Sequence, residues 1–192
     1  MRGIGSNFSS IGIEQSVALV VDGVYYGQGR VIDEGFVDLD QVEILKGPQA
    51  LFFGKNSTAG VISITTADPG TDFESMARVG YEFESQTTKG EAVLSGPVTD
   101  DTGMRLVVSG DHMWGGYVRN NAPAATYTAT DAATLTSTTY DVPAPNKRNL
   151  PADKSGLARF TTVYRPSELF EATLKASVDH HLSGGTSWND SL

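Results

Sequence analysis

From residue 73 onward, apolar and polar side chains alternate with a period of two in five stretches separated by turn-forming residues. In 73–85 the odd positions Phe73, Ala77, Val79, Tyr81 and Phe83 are apolar, and the even ones include Glu74, Arg78, Glu82 and Glu84. In 88–98, Ala92, Leu94 and Val98 oppose Lys89 and Glu91; in 104–118, Met104, Leu106, Val108 and Trp114 oppose Arg105, Ser109 and Asp111. In 154–164, Ala158, Phe160 and Tyr164 oppose Ser155, Arg159 and Thr161, with Leu157 and Val163 blurring the second face. In 170–180, Phe170, Ala172, Leu174, Ala176 and Val178 oppose Glu171, Thr173, Lys175 and Asp179. This alternation predicts strands with one apolar and one polar face. Each is near the length of about 9–11 residues that a tilted membrane-crossing strand needs.

Before residue 70 the pattern differs. Residues 42–66, VEILKGPQALFFGKNSTAGVISITT, read as strand, one helical turn, glycine-rich loop and strand. The run 42–45 favours strand and is stopped by Gly47-Pro48, where Pro48 has the fixed φ suited to the first turn of a helix over 49–53. Gly54 offers a left-handed stop, and 61–66 returns to strand-favouring residues. Upstream, in SVALVVDGVYY (16–26), Asp22-Gly23 lies between two apolar runs. That predicts a tight hairpin, because both residues tolerate positive φ. A polar connector, 28–38, leads to the strand at 42, and Asp68-Pro69-Gly70 is a turn cluster.

The connections carry orientation. Segments 97–103 and 165–169 are brief turns, whereas 120–153 is a long polar loop rich in Thr, Ala, Asn and Pro. Outer-membrane barrels place short turns inside and long loops outside. On that scheme 86–87 is a short first outer loop, 120–153 the second and 183–192 the start of a third. Phe73, Tyr164 and Phe170 then fall toward the inner turns and Tyr81, Phe83 and Trp114 toward the outside, as interfacial aromatic girdles require.

Composition narrows the classes. The 192 residues carry a formal charge of −9, which opposes a nucleic-acid partner because phosphate binding needs a basic face. There is no cysteine, hence no disulfide and no thiolate chemistry. Residues 1–15 have one arginine and no apolar segment after it, unlike a signal peptide. No apolar run approaches the roughly 18 residues of a spanning helix, a criterion that barrel strands escape.

The residues Val42, Glu43, Leu45, Lys46, Gly47, Pro48, Phe53, Gly54, Gly60, Val61, Ile62 and Thr66 stand in a pattern that resembles the end of the plug domain of TonB-dependent outer-membrane receptors. Departures are mild: Ala59 where the pair usually reads Gly-Gly, Phe53 for Tyr, Lys46 and Lys55 for Arg. Residues 2–5 and 17–26 resemble further plug signatures. The resemblance implies a mainly β fold with a small α/β plug. Residues 1–69 would be the C-terminal part of a plug domain and 70–192 the N-terminal portion of a transmembrane antiparallel β-barrel, about five strands of roughly 22. The chain would then be a fragment of a longer receptor.

The same resemblance implies active transport rather than an enzyme, and residence in the Gram-negative cell outer membrane. The receptor would bind a scarce solute, foremost a ferric siderophore, and import it to the periplasm with TonB-coupled energy. Its partners would be the TonB complex of the inner membrane, reached through a segment missing here, outer-membrane lipid, and a small-molecule ligand such as a metal chelate. A soluble acidic β-rich binding module without transport activity would explain the alternation but not the plug motif.

Other chemistry finds little footing. Gly54-Lys55 suggests a phosphate loop, but position 49 is Gln and 56 is Asn where that motif needs Gly and Ser or Thr. No G-x-S-x-G nucleophile elbow occurs. His180 and His181 are adjacent in a strand and point to opposite faces, so they do not chelate one ion together. The triplets beginning at Asn7, Asn56 and Asn189 match the glycosylation pattern by chance in an envelope protein. No catalytic residue, metal site or cofactor is therefore expected.

Candidate solute contacts are Tyr25, Tyr26, Gln28 and Arg30, whose aromatic, amide and cationic groups follow the hairpin. The structural motif residues are Asp22, Gly23, Glu43, Lys46, Gly47, Pro48, Gly54 and Gly60. Glu82, Glu84, Arg78, Arg105, Arg159 and Lys175 are expected to face a plug-filled lumen and to pair with plug residues such as Glu43, Lys46 and Lys55.

Overall fold

Asp22 and Gly23 take φ values of +49° and +81°, the pair of left-handed residues with which a two-residue hairpin follows the strand twist. They join β1 (Val17–Val21) to β2 (Val24–Tyr26), with Val21 opposite Val24. The computed structural model describes residues 16–26, 37–54, 57–119, 121–144 and 149–184. The chain divides into two compact units: one of 1–78, 91–109 and 156–180, the other of 79–90, 110–155 and 181–192.

In the first unit, β1 pairs parallel with β4 (Gly60–Thr66), and β4 pairs antiparallel with β3 (Leu39–Lys46). The order is β2-β1-β4-β3. β1 is central and covered, so its unbroken VALVV buries Ala18, Leu19 and Val20 in succession rather than alternating. Ala18, Val20 and Val61 form a small core with Leu45 and Phe53 packed against it.

Between β3 and β4 stands α1 (Ala50–Phe53), a single turn. Gln49 is its N-cap, so Pro48 lies just outside the helix rather than in its first turn. Gly54 ends it with φ +81° and ψ −167°. The positive φ is as expected, but ψ lies far from the left-handed helical value, in an extended region open essentially to glycine alone.

β5 (Glu74–Glu82), β6 (Thr87–Thr99), β7 (Thr102–Met113), β12 (Ala152–Ser167) and β13 (Phe170–Gly184) form a sheet in the order β13-β12-β7-β6-β5. These are the five strands that the alternation predicts, with shifted ends. β5 stops before Phe83, so the first outer turn is 83–86 rather than 86–87. Glu82 causes this: it accepts the backbone N–H of Glu84 and Ser85 at 2.8 Å each, and the Ser85 hydroxyl. β7 ends five residues earlier than predicted, at Met113 instead of 118. The third outer loop falls largely outside the described residues.

The faces of this sheet are inverted relative to a water-soluble protein. Arg105, Arg159, Thr161 and Ser95 are buried beside Val93, Val107 and Val163, while Leu94, Val98, Met104, Leu106, Val108, Leu174 and Val178 are exposed. An apolar face turned outward and a polar face turned in is the pattern of a lipid-embedded barrel wall.

The segment 120–153 is more structured than a plain polar loop. Within the second unit, β9 (Ala125–Thr130) pairs with β10 (Ser137–Val142), and β8 (Val118–Arg119) pairs with β11 (Asn149–Leu150). Threonine, tyrosine and valine suit strands, but both faces of β9 and β10 are exposed. Ala125, Tyr127 and Ala129 alternate with threonines, but alanine, tyrosine and threonine contrast too weakly to set the segment apart from a polar loop.

Candidate functional site

Two turn carboxylates of the four-stranded sheet meet three cations of the five-stranded sheet, all within the first unit. Asp22 is placed by the hairpin turn. Its Oδ1 accepts the Thr66 N–H at 2.9 Å and its Oδ2 the Thr66 hydroxyl at 2.7 Å, which fixes it beside the end of β4. The Lys175 ammonium, on β13, donates to Asp22 Oδ1 at 3.0 Å and to Thr66 O and Oγ1 at 3.1 Å each. It also lies 2.9 Å from Asp68 Oδ1. Burial pushes the Asp22 carboxyl up, but the bonds from Thr66 and the Lys175 charge outweigh it and hold the group below its ordinary value of 3.8.

Asp38 directly precedes β3 and has φ +55°, a conformation that a non-glycine residue seldom keeps without support. Arg105 on β7 supplies that support through a two-pronged grip, Nε to Oδ2 at 2.8 Å and Nη2 to Oδ1 at 2.5 Å. Its Nη1 donates to Glu74 at 3.1 Å. Arg159 on β12 directs Nη2 at the carbonyls of Val37 (2.8 Å) and Asp38 (3.0 Å), and at Asp38 Oδ2 (3.4 Å). Only 7% of the Asp38 side chain and 9% of that of Arg105 are exposed. Burial raises the Asp38 carboxyl, yet the Arg105 hydrogen bonds and the charges of Arg105 and Arg159 bring it below 3.8.

Among the described residues no group of His, Cys, Asp and Glu is arranged to hold a metal. The arrangement is mechanical: one sheet, joined to the other by the chain at 67–73, is also tied to it at two ionic points, with no disulfide cross-link.

The expected partners of the inward charges are thus replaced. Arg105, Arg159 and Lys175 do point inward, but to Asp38, Asp22 and Asp68 rather than Glu43 or Lys46. Those two residues sit on β3, at the edge of its sheet; Glu43 is exposed and accepts from Gln41 at 2.9 Å. Lys55 lies outside the described residues. Glu82 bonds locally, and Arg78 pairs with Glu91 at 3.2 Å. Tyr25 and Tyr26 follow one another on β2 and so face opposite sides; Gln28 and Arg30 lie outside the described residues. Gly47, with φ +94°, and Gly60 flank the α1 excursion, where Lys46 stands opposite Gly60. Asp38 carried no motif, and Asp68 was marked only as the start of a turn cluster. The signal that pointed toward them was the recurrence of cations on the inward face of β7, β12 and β13.

The family model for the TonB-dependent Receptor Plug Domain matches residues 1–61. The pesticin receptors of Yersinia enterocolitica and Yersinia pestis are each 32% identical over 85 residues, which is 44% of this chain and 12% of the receptor's length. Residues 1–61, about a third of the chain, thus match the plug domain of the TonB-dependent receptors. The match of this chain covers about an eighth of the length of those curated receptors.

Among solved structures, the pyoverdine outer membrane receptor FpvA from Pseudomonas aeruginosa PAO1 superimposes with a TM-score of 0.62 at 15% identity, over 88% of this chain and 21% of that one. The ferric yersiniabactin uptake receptor FyuA from Yersinia pestis gives 0.60 at 21%, over 85% and 22%. At these identities the likeness concerns the fold. The chain is mainly β, with a small α/β plug and a five-stranded antiparallel sheet that has the fold of part of such a receptor barrel.

Proposed function

We propose that this chain works within an outer-membrane receptor that binds a ferric siderophore outside the cell and imports it to the periplasm with TonB-coupled energy. Residues 1–69 are the C-terminal part of its plug, and 70–192 open its barrel wall in the Gram-negative outer membrane. The observation that carries this reading is the pair of ionic ties, Asp38 to Arg105 and Arg159, and Asp22 to Lys175. They hold a plug sheet against wall strands without a covalent cross-link, which suits a plug that must stay closed at rest and shift when pulled. The names of the matched receptors support iron-chelate cargo. For solute contact, Tyr25, exposed on β2, stands ahead of the half-buried Tyr26, with Gln28 and Arg30 following in the chain.

The test uses the full-length receptor in iron-starved cells, with a panel of radiolabelled catecholate, hydroxamate and mixed-ligand ferric chelates. One chelate should bind at the surface whether or not the proton gradient is intact, and enter only when it is intact. Failure to bind any of the panel, or entry with the gradient collapsed, would overturn the proposal.

A further inference from the structure

The hairpin of β9 and β10 has properties that solute import does not use. Among the described residues it pairs with no other strand, and all twelve of its strand residues are exposed. Its register sorts the side chains into two flat faces. One carries Thr126, Thr128, Thr130, Ser137, Thr139 and Asp141, with the hydroxyls of Thr128 and Thr139 3.0 Å apart and those of Thr130 and Ser137 2.9 Å apart. The other is a shallow apolar face on which Tyr127 and Tyr140 stand opposite each other, with ring centroids 5.1 Å apart and planes 19° off parallel. Alanines 125 and 129 beside them leave the rings proud of the surface.

The turn is built rather than loose. Asp131 Oδ1 accepts the N–H of Ala133 at 2.7 Å and of Thr134 at 3.0 Å, and its carbonyl accepts that of Leu135 at 2.8 Å. A two-stranded ribbon alone is marginal in water, and a rigid turn with a stacked pair left exposed among the described residues suits an external occupant.

Charge selects among occupants. From Asn121 to Ala144 there are two carboxylates, Asp131 and Asp141, and no lysine or arginine. A phosphate, a sulfate or an anionic chelate would meet repulsion without a counter-ion. A neutral polyhydroxyl ring suits the surface: its apolar face covers the tyrosine rings, and its hydroxyls find the phenol and Thr138. We propose that the β9–β10 hairpin is a binding surface for a neutral oligosaccharide free in the medium, separate from the imported solute.

The full-length receptor in detergent, applied to an array of neutral, sulfated and phosphorylated oligosaccharides, should be retained by neutral ones. Titration calorimetry with the strongest neutral binder should then show affinity reduced about tenfold or more in Y127A/Y140A. Y127F/Y140F keeps the stacked rings and guards against loss through misfolding; it should retain binding within about threefold. Ferric-chelate uptake should be unchanged in both variants, which separates this inference from the transport reading. Retention by no neutral glycan, equal retention by the alanine variant, or a preference for sulfated or phosphorylated members would overturn it, as would a tenfold loss in the phenylalanine variant.

Discussion

Asp38 concentrates most of the physics of this chain in one residue. It combines positive φ, a nearly buried carboxylate and two guanidinium partners. Exchange for Asn keeps the shape but leaves Arg105 and Arg159 without their shared counter-charge, and breaking such a buried pair typically costs about 3–5 kcal/mol. D38N in the full-length receptor should therefore loosen the plug, read as faster protease nicking of plug sequence while the barrel stays intact. Unchanged nicking would show that the tie bears no load. The sign of the pH dependence follows from the lowered carboxyls of Asp22 and Asp38. A depressed native value means stability that is fully present above the ordinary 3.8 and lost as pH falls below it through the native values. Nicking should stay flat from neutral pH down to that range and rise only below it. A rise beginning near neutrality would assign the transition to other groups. Gly54 offers a separate residue-scale test, because nothing lies within 4 Å of where a Cβ would stand. The constraint is the backbone itself, so Gly54→Val should lower plug stability by about 1–3 kcal/mol, measured by denaturant titration of the same nicking signal.

At the scale of elements, the wall strands make the sharpest claim, since their apolar residues are the exposed ones. Leu174, on the outward face of β13, is 61% exposed. In water an arginine there would be harmless; facing the bilayer midplane it should cost about 2–4 kcal/mol. L174R should lower the denaturant midpoint of the receptor in vesicles and reduce its insertion, whereas T173R, on the opposite face, should affect insertion less. Equal effects would refute the assignment of faces. These strands were legible because period-two alternation survives whichever side faces water. The β1–β2 hairpin was legible because Asp-Gly satisfies a backbone demand that few pairs can meet. The β9–β10 hairpin was not, since its alternation sets threonine against alanine and tyrosine, a contrast too weak to stand out within a polar loop. The ties to Asp22 and Asp38 were hidden for another reason. Asp38 and Arg105 are separated by 67 positions, and a turn carboxylate reads the same whether it meets water or a guanidinium. Only the cations announced themselves, by lying on the polar face of three strands, and their partners needed the fold.

For the molecule as a whole, the decisive quantity is the unpaired edge. In the order β13-β12-β7-β6-β5, the outer strands β5 and β13 each have one side without a neighbour in the described sheet. Water can satisfy the backbone groups along such an edge, but hydrocarbon cannot, and each unsatisfied group there costs several kcal/mol. β13 alone runs for 15 residues, so the penalty far exceeds the 5–15 kcal/mol or so by which a domain is ordinarily stable. The 192-residue chain by itself should therefore close its edges on other copies or fail to insert. Refolded into phospholipid vesicles, it should sediment as heterogeneous oligomers after detergent extraction. The full-length receptor under the same treatment should give one monomeric species whose mobility on a gel shifts on heating. A monodisperse monomer from the chain alone would mean that its edges are satisfied within its own sequence, and that the wall is a self-sufficient sheet rather than an arc of a larger barrel.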